Sequence, residues 1–193
     1  MIAHIHGRLV EKAPTHVVID CAGVGYYIHI SLNTSSKIKA EENCKLFTEL
    51  IVREDAQLLY GFMEMAEKRL FQLLISVSGV GPATALLVLS SADPGEIEQA
   101  IISGNAAWFK GVKGIGPKSA QRIIIDLRDK VAKENIQADF SSAVDNTLKG
   151  EALSALVNLG FNKNKAEKVI VKILKENNNY QLEDVLKAAL KGL

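Results

Sequence analysis

The sequence predicts an α+β protein of three folded parts: a small five-stranded β-barrel, an all-α region built on a repeated unit, and a small three-helix domain. Three observations carry this. Short β-branched and aromatic runs alternate with turn residues over residues 1–63. Beyond them the apolar residues recur at spacings of three and four, the period of a helix packed on one side. Within that helical part, "SGVGPATALLVL" from Ser78 returns as "KGIGPKSAQRII" from Lys113.

The strands come first. "IAHIHGRLVE", "HVVIDC", "YYIHISL", "CKLFTELIVRE" and "AQLLYGF" are each bounded by turn residues, with "KAPT" and "AGVG" between the first three. A polar stretch from Asn33 to Asn43 separates the third run from the fourth. Five strands in so short a segment fit a closed barrel of the OB type, whereas a two-sheet sandwich usually needs more.

Residues 64–133 read as helices. Leu70, Phe71, Leu74 and Val77 form one stripe, Ile97, Ala100 and Ile101 a second, and Ala120, Ile123, Ile124, Leu127 and Val131 a third. Residues 134–147, "ENIQADFSSAVDNT", show little periodicity and predict a flexible linker. Residues 148–193 return to helical stripes: Leu153, Leu156 and Val157, then Ala166, Val169, Ile170, Ile173 and Leu174, then Leu182, Val185, Leu186 and Leu190. Three helices of this length close a core too small to enclose a deep pocket. They suit a docking module, and the apolar residues around Leu156, Leu159 and Phe161 are the expected docking patch.

Composition excludes several classes. At 48% hydrophobic the chain is not disordered overall. No apolar run is long enough for a transmembrane helix and no leader is apparent, so a cytoplasmic protein is expected. Cys21 and Cys44 lack metal-ligand spacing and read as reduced core thiols. Net charge is +1, and residues 64–133 carry nine basic against seven acidic side chains. Nucleic acid would therefore be held by a few placed contacts rather than by a polycationic surface.

The repeat is where chemistry concentrates. Gly79, Val80, Gly81 and Pro82 match Gly114, Ile115, Gly116 and Pro117, and Thr84 and Ala85 match Ser119 and Ala120. Such alignment points to a duplicated helix–turn–helix unit. Glycines permit a tight turn, the apolar residue between them can point inward, and proline suits the first helical position. The following N–H groups, at Ala83–Thr84 and Lys118–Ser119, have no partner within their helix and lie at its positive end. An anion can approach there.

Three uses of that anion site compete. A nucleotide-binding P-loop is disfavoured, because Pro117 separates Gly116 from Lys118 and "AAWFKGVK" is no buried strand. Helix packing alone would explain one copy. Two copies suit a duplex, since paired hairpins can grip phosphates of both strands without reading bases. Lys118 and Arg122 add charge to the second copy alone, and Thr84 and Ser119 add hydroxyls.

Jointly, "SGVGP", "KGIGPKSA", "VREDAQLLYGF" (Val52 to Phe62) and "GVGY" (Gly23 to Tyr26) resemble the RuvA family across essentially the whole chain. Members of that family bind Holliday junctions for the bacterial branch-migration machine. The resemblance implies an OB-like barrel, a tandem helix–hairpin–helix domain and a three-helix motor-docking domain. It implies a homotetramer, the choice between four and eight subunits being open, that holds a four-way junction open without sequence specificity. It implies no catalysis and no cofactor, recruitment of the hexameric ATPase RuvB through the C-terminal domain, and the RuvC resolvase in a larger complex. DNA-backbone contacts would fall on Gly79, Val80, Gly81, Ala83 and Thr84, and on Gly114, Ile115, Gly116, Lys118, Ser119 and Arg122. Glu54 and Asp55 would form a central acidic pin. Ala83 and Pro117 depart from the family, which often carries basic residues there, so charge is lost at both.

Other functions leave weaker traces. A nuclease or repair enzyme could use the same hairpins, and a single-strand-binding OB protein could stack bases on Tyr26, Tyr27 or Tyr60. No nucleophile, acid–base pair or metal-ligand set stands out. His4 and His6 share a strand face but lack a third ligand.

Overall fold

The computed structural model describes residues 2–39, 43–144, 148–176 and 180–192, with only the backbone at 133–144 and 175–176. Five strands open the chain: β1 (His4–Lys12), β2 (His16–Cys21), β3 (Val24–Ile30), β4 (Asn43–Val52) and β5 (Gln57–Phe62). They close in the order β1-β2-β3-β5-β4, with β4 pairing back to β1. Only β3 and β5 run parallel. This is the expected OB-like barrel. Alternation along each strand sends Val17, Ile19, Ile28, Ile30 and Leu46 inside, where all are buried. Closure needs a missing side chain on β5: a Cβ on Gly61 would lie 2.5 Å from Ile28 Cγ2. Cys44 belongs to this core, whereas Cys21 is only half-buried and its Sγ donates to the His6 carbonyl at 3.2 Å.

The polar stretch between β3 and β4 contains a short helix, α1 (Leu32–Lys37). Ser31 caps it, accepting from the Thr34 N–H at 2.9 Å. A serine before a short run without glycine or proline was the available signal.

Five helices follow: α2 (Met65–Ile75), α3 (Pro82–Ser91), α4 (Pro94–Ile102), α5 (Ala106–Lys110) and α6 (Pro117–Val144). Their apolar stripes merge into one core with the outer face of β5. Phe71 of α2 packs on Tyr60 and Phe62, with ring centroids 5.1 and 5.0 Å apart. Barrel and helices thus form one compact unit, Met1–Ala132. Helix α6 continues to Val144, so most of the segment expected to be an aperiodic linker is helical. The physical reason is that no glycine or proline interrupts residues 118–144, and alanine, glutamate, lysine and glutamine favour helix even without an apolar stripe. Its last three positions, 145–147, lie outside the described residues.

A buried acid that the periodicity did not single out joins barrel to helices. Glu67 of α2 is fully buried. Ser31 Oγ donates to one of its oxygens and Thr34 Oγ1 to the other at 2.6 Å. Burial pushes its pKa up, and the Glu64 carboxylate adds to this, against the opposing pull of the two hydroxyls and Lys37. The folded protein then holds this proton more tightly than the unfolded chain. The resulting stability is full below the ordinary glutamate pKa and is lost as pH rises through the raised one. Glu67→Gln keeps the shape and removes the charge. Its melting temperature should gain on that of the parent as pH rises from about 4 to 8. Parallel curves for the two proteins would show that Glu67 ionises as it does in the unfolded chain.

The second unit begins at Lys133 and holds α7 (Leu148–Asn158), α8 (Lys163–Glu176) and α9 (Leu182–Gly192). Ala152, Leu156, Ala166, Ile170, Ile173, Val185 and Ala189 form its core.

Candidate nucleic-acid interface

The duplication is structural as well as sequential. One hairpin joins α2 to α3 through residues 76–81, and its twin joins α5 to α6 through residues 111–116. Val80 N–H donates to the Val77 carbonyl at 3.0 Å, and Ile115 N–H to the Val112 carbonyl at 3.1 Å. Ala85 N–H reaches the Gly81 carbonyl and Ala120 N–H the Gly116 carbonyl, both at 2.9 Å. Gly79 and Gly114 turn at φ +90° and +91°, which side-chain-bearing residues rarely adopt.

The second glycine of each pair has a different reason to be small. Gly81 lies at φ −86°, open to any residue. A Cβ at Gly81 or Gly116 would meet nothing within 4 Å, so it would project into open space. That space lies before the first turn of α3 and of α6. Gly81 starts α3 with no side-chain cap, so the Ala83 and Thr84 N–H groups are left for an outside acceptor. A phosphate oxygen is a suitable one.

The two hairpins are interlocked. A Cβ at Gly79 would lie 3.9 Å from Ser119 Oγ, and one at Gly114 would lie 4.0 Å from Thr84 Oγ1. Each hydroxyl therefore sits beside the other copy's turn. Arg122 Nη1 donates to the Ser78 carbonyl at 3.2 Å, tying α6 to the first hairpin. Sequence spacing gave no hint of these crossed contacts.

Most expected contact residues are accessible. Gly79, Gly81, Ala83, Gly114, Gly116, Lys118 and Arg122 are exposed, and Thr84 and Ser119 half-buried. Val80 and Ile115 correct the expectation. Their side chains are 5% and 6% exposed, inside the helical core. Their N–H groups are already spent on Val77 and Val112. They pin the hairpins and leave no group for a phosphate. Two basic residues that spacing missed, Lys110 and Lys113, are exposed before the second hairpin's glycines.

Glu54 and Asp55 occupy the β4–β5 turn, which Arg53 N–H closes on the Ala56 carbonyl at 2.8 Å. Both are exposed and neither has an ion-pair partner among the described residues. Tyr60 is buried against α2, Tyr26 packs against the barrel core, and Tyr27 is exposed. Trp108 and Phe109 pack in the helical core.

In the second unit, the docking patch needs revision. Leu156 is fully buried and belongs to the core. Gly160, at φ +93°, ends α7: its N–H reaches the Val157 carbonyl at 2.9 Å, and Phe161 N–H the Leu156 carbonyl at 3.1 Å. This reversal of the chain folds Phe161 back onto the core and leaves Leu159 at the corner, 63% exposed. Val157, at 40%, is its exposed neighbour.

Among the described residues no group of three or more metal-ligating side chains occurs, and no helix is long and apolar enough to cross a membrane. Three family models match in order: the RuvA N terminal domain at residues 1–61, the SAM-like helix-hairpin-helix tandem at 71–129, and the RuvA C-terminal domain at 147–193. Over the full length of both chains, the protein is 51% identical to the Holliday junction branch migration complex subunit RuvA of Christiangramia forsetii. It is 51% identical to that of Flavobacterium psychrophilum and 45% identical to that of Bacteroides thetaiotaomicron, again over whole chains.

Proposed function

The chain belongs to the RuvA family, and on that premise we propose that it binds four-way DNA junctions as the non-catalytic subunit of a branch-migration complex. The observation that carries this is the interlocked pair of hairpins, each opening a helix with a glycine that leaves its first turn uncovered. Phosphates would be bound by the N–H groups of Ala83, Thr84, Lys118 and Ser119, with Lys118 and Arg122 supplying charge. Such contacts hold the backbone and read no bases, so structure rather than sequence would be selected.

The exposed Glu54 and Asp55 would face the crossover. Phosphates crowd there, and carboxylates repel them, guiding strands apart and disfavouring continuous duplex at the centre. This role needs several barrels around one junction. A homotetramer supplies four, and an octamer would cover both faces. In the cytoplasm the complex would include the RuvB ATPase, docked through Leu159 and its neighbours, with RuvC joining a larger assembly.

Competition gel shifts test the reading. A four-way junction should outcompete linear duplex and single strand of equal length, and the junction should remain uncut in magnesium. Equal affinity for all three would defeat junction selection. Cleavage would favour a nuclease that uses the same hairpins.

A further inference from the structure

The two hairpins match in backbone but not in charge. From Leu70 to Ala92 the chain has no charged side chain at all. From Gln99 to Ile125 it has Lys110, Lys113, Lys118 and Arg122, and no acid. All four are exposed. At the matching positions of the first copy stand Ile75, Ser78, Ala83 and Leu87. Arg122 is partly spent on the Ser78 carbonyl. The three lysines have no carboxylate partner among the described residues.

Lys113 is the best placed of the three. It lies in the hairpin itself, between Val112 and Ile115, which are 7% and 6% exposed and anchor the turn from within. With those two inward, Lys113 is left outward beside Gly114. Lys110, in the last turn of α5, has an alternative use in balancing that helix end.

Resting on the junction-binding reading, we infer that the clamp is electrically polarised, with Lys113 a phosphate-binding residue of the second hairpin. The second hairpin holds its phosphates through lysine charge. The first contributes only uncharged N–H and hydroxyl groups of its own, the one cation beside it being Arg122 of α6 on the Ser78 carbonyl. Nearly all of the clamp's salt dependence then comes from one hairpin. Lys113 restores, within the second hairpin itself, charge of the kind missing at Ala83 and Pro117.

Junction binding by the full-length protein, titrated at several salt concentrations, tests this. Each phosphate-neutralising lysine contributes about 0.9 to the slope of log K against log salt. Lys113→Ala should lower the slope by about one and weaken binding several-fold near 0.1 M salt, while Lys113→Arg keeps both. Ser78→Lys, at the matching site, should raise the slope by about one. If the parent binds junctions and Lys113→Ala changes neither slope nor affinity, the polarised clamp is wrong and junction binding stands. If the parent shows no junction preference, the junction-binding reading fails first and this inference fails with it.

Discussion

Replacing Lys118 and Arg122 together by alanine should weaken junction binding by one to two orders of magnitude and lower its salt slope by about two. Lys118 stands in the first turn of α6, where the helix end and its own charge both favour a phosphate. Arg122 follows one turn later on the same helix. Both are exposed, so truncation leaves no hole in the core. The salt slope matters more than the affinity. Arg122 also holds the Ser78 carbonyl, so its loss could loosen the first hairpin without any phosphate being involved. Loosening alone would weaken binding equally at all salt concentrations. Loss of two phosphate contacts weakens it most at low salt, because fewer counterions are then released on binding. Filter binding or anisotropy between about 50 and 300 mM salt separates the two outcomes. An unchanged slope would remove both residues from the DNA contact.

Deleting residues 148–193 should leave junction affinity within about twofold of the parent and abolish stimulation of the RuvB ATPase. The hairpins and the acidic turn all lie within the compact unit Met1–Ala132, whose core, among the described residues, ends at Val131. The deleted part has a separate core of its own. Its exposed corner at Leu159 is the narrower target. Leu159→Asp should reproduce the loss of stimulation without unfolding the domain, whereas Leu156→Asp would unfold it by placing a charge in the core. Loss of junction binding on deletion would contradict this division of labour.

Much of the architecture was legible from pattern. Strand alternation in "HVVIDC" and "YYIHISL", and the three- and four-residue spacing from Leu70 to Val131, follow directly from which face each element must bury. The repeat announced itself because positions such as Gly79 and Gly114 tolerate few residues at positive φ. Errors arose where local signals were weak. Helix α1 is short and polar, and the run after Ala132 is helical without an apolar stripe, so periodicity could not find either one. Glu67 has no partner signalled in its own stretch of sequence, because the Ser31 and Thr34 hydroxyls that meet it come from more than 30 residues away.

Residue type and order are enough to set the five strands, the paired glycine turns, and the charge carried by one copy and missing from the other. These depend on residue type and spacing, which act over a few positions along the chain. Which groups remain available follows instead from how the folded elements pack. Packing buried Val80, Ile115 and Leu156, turned Leu159 outward, set Arg122 against Ser78, and placed Thr84 and Ser119 beside each other's hairpins. Those outcomes depend on partners 30 or more residues apart, or on a helix end folding back on its own core. Contacts of that kind exist only once the whole unit has closed.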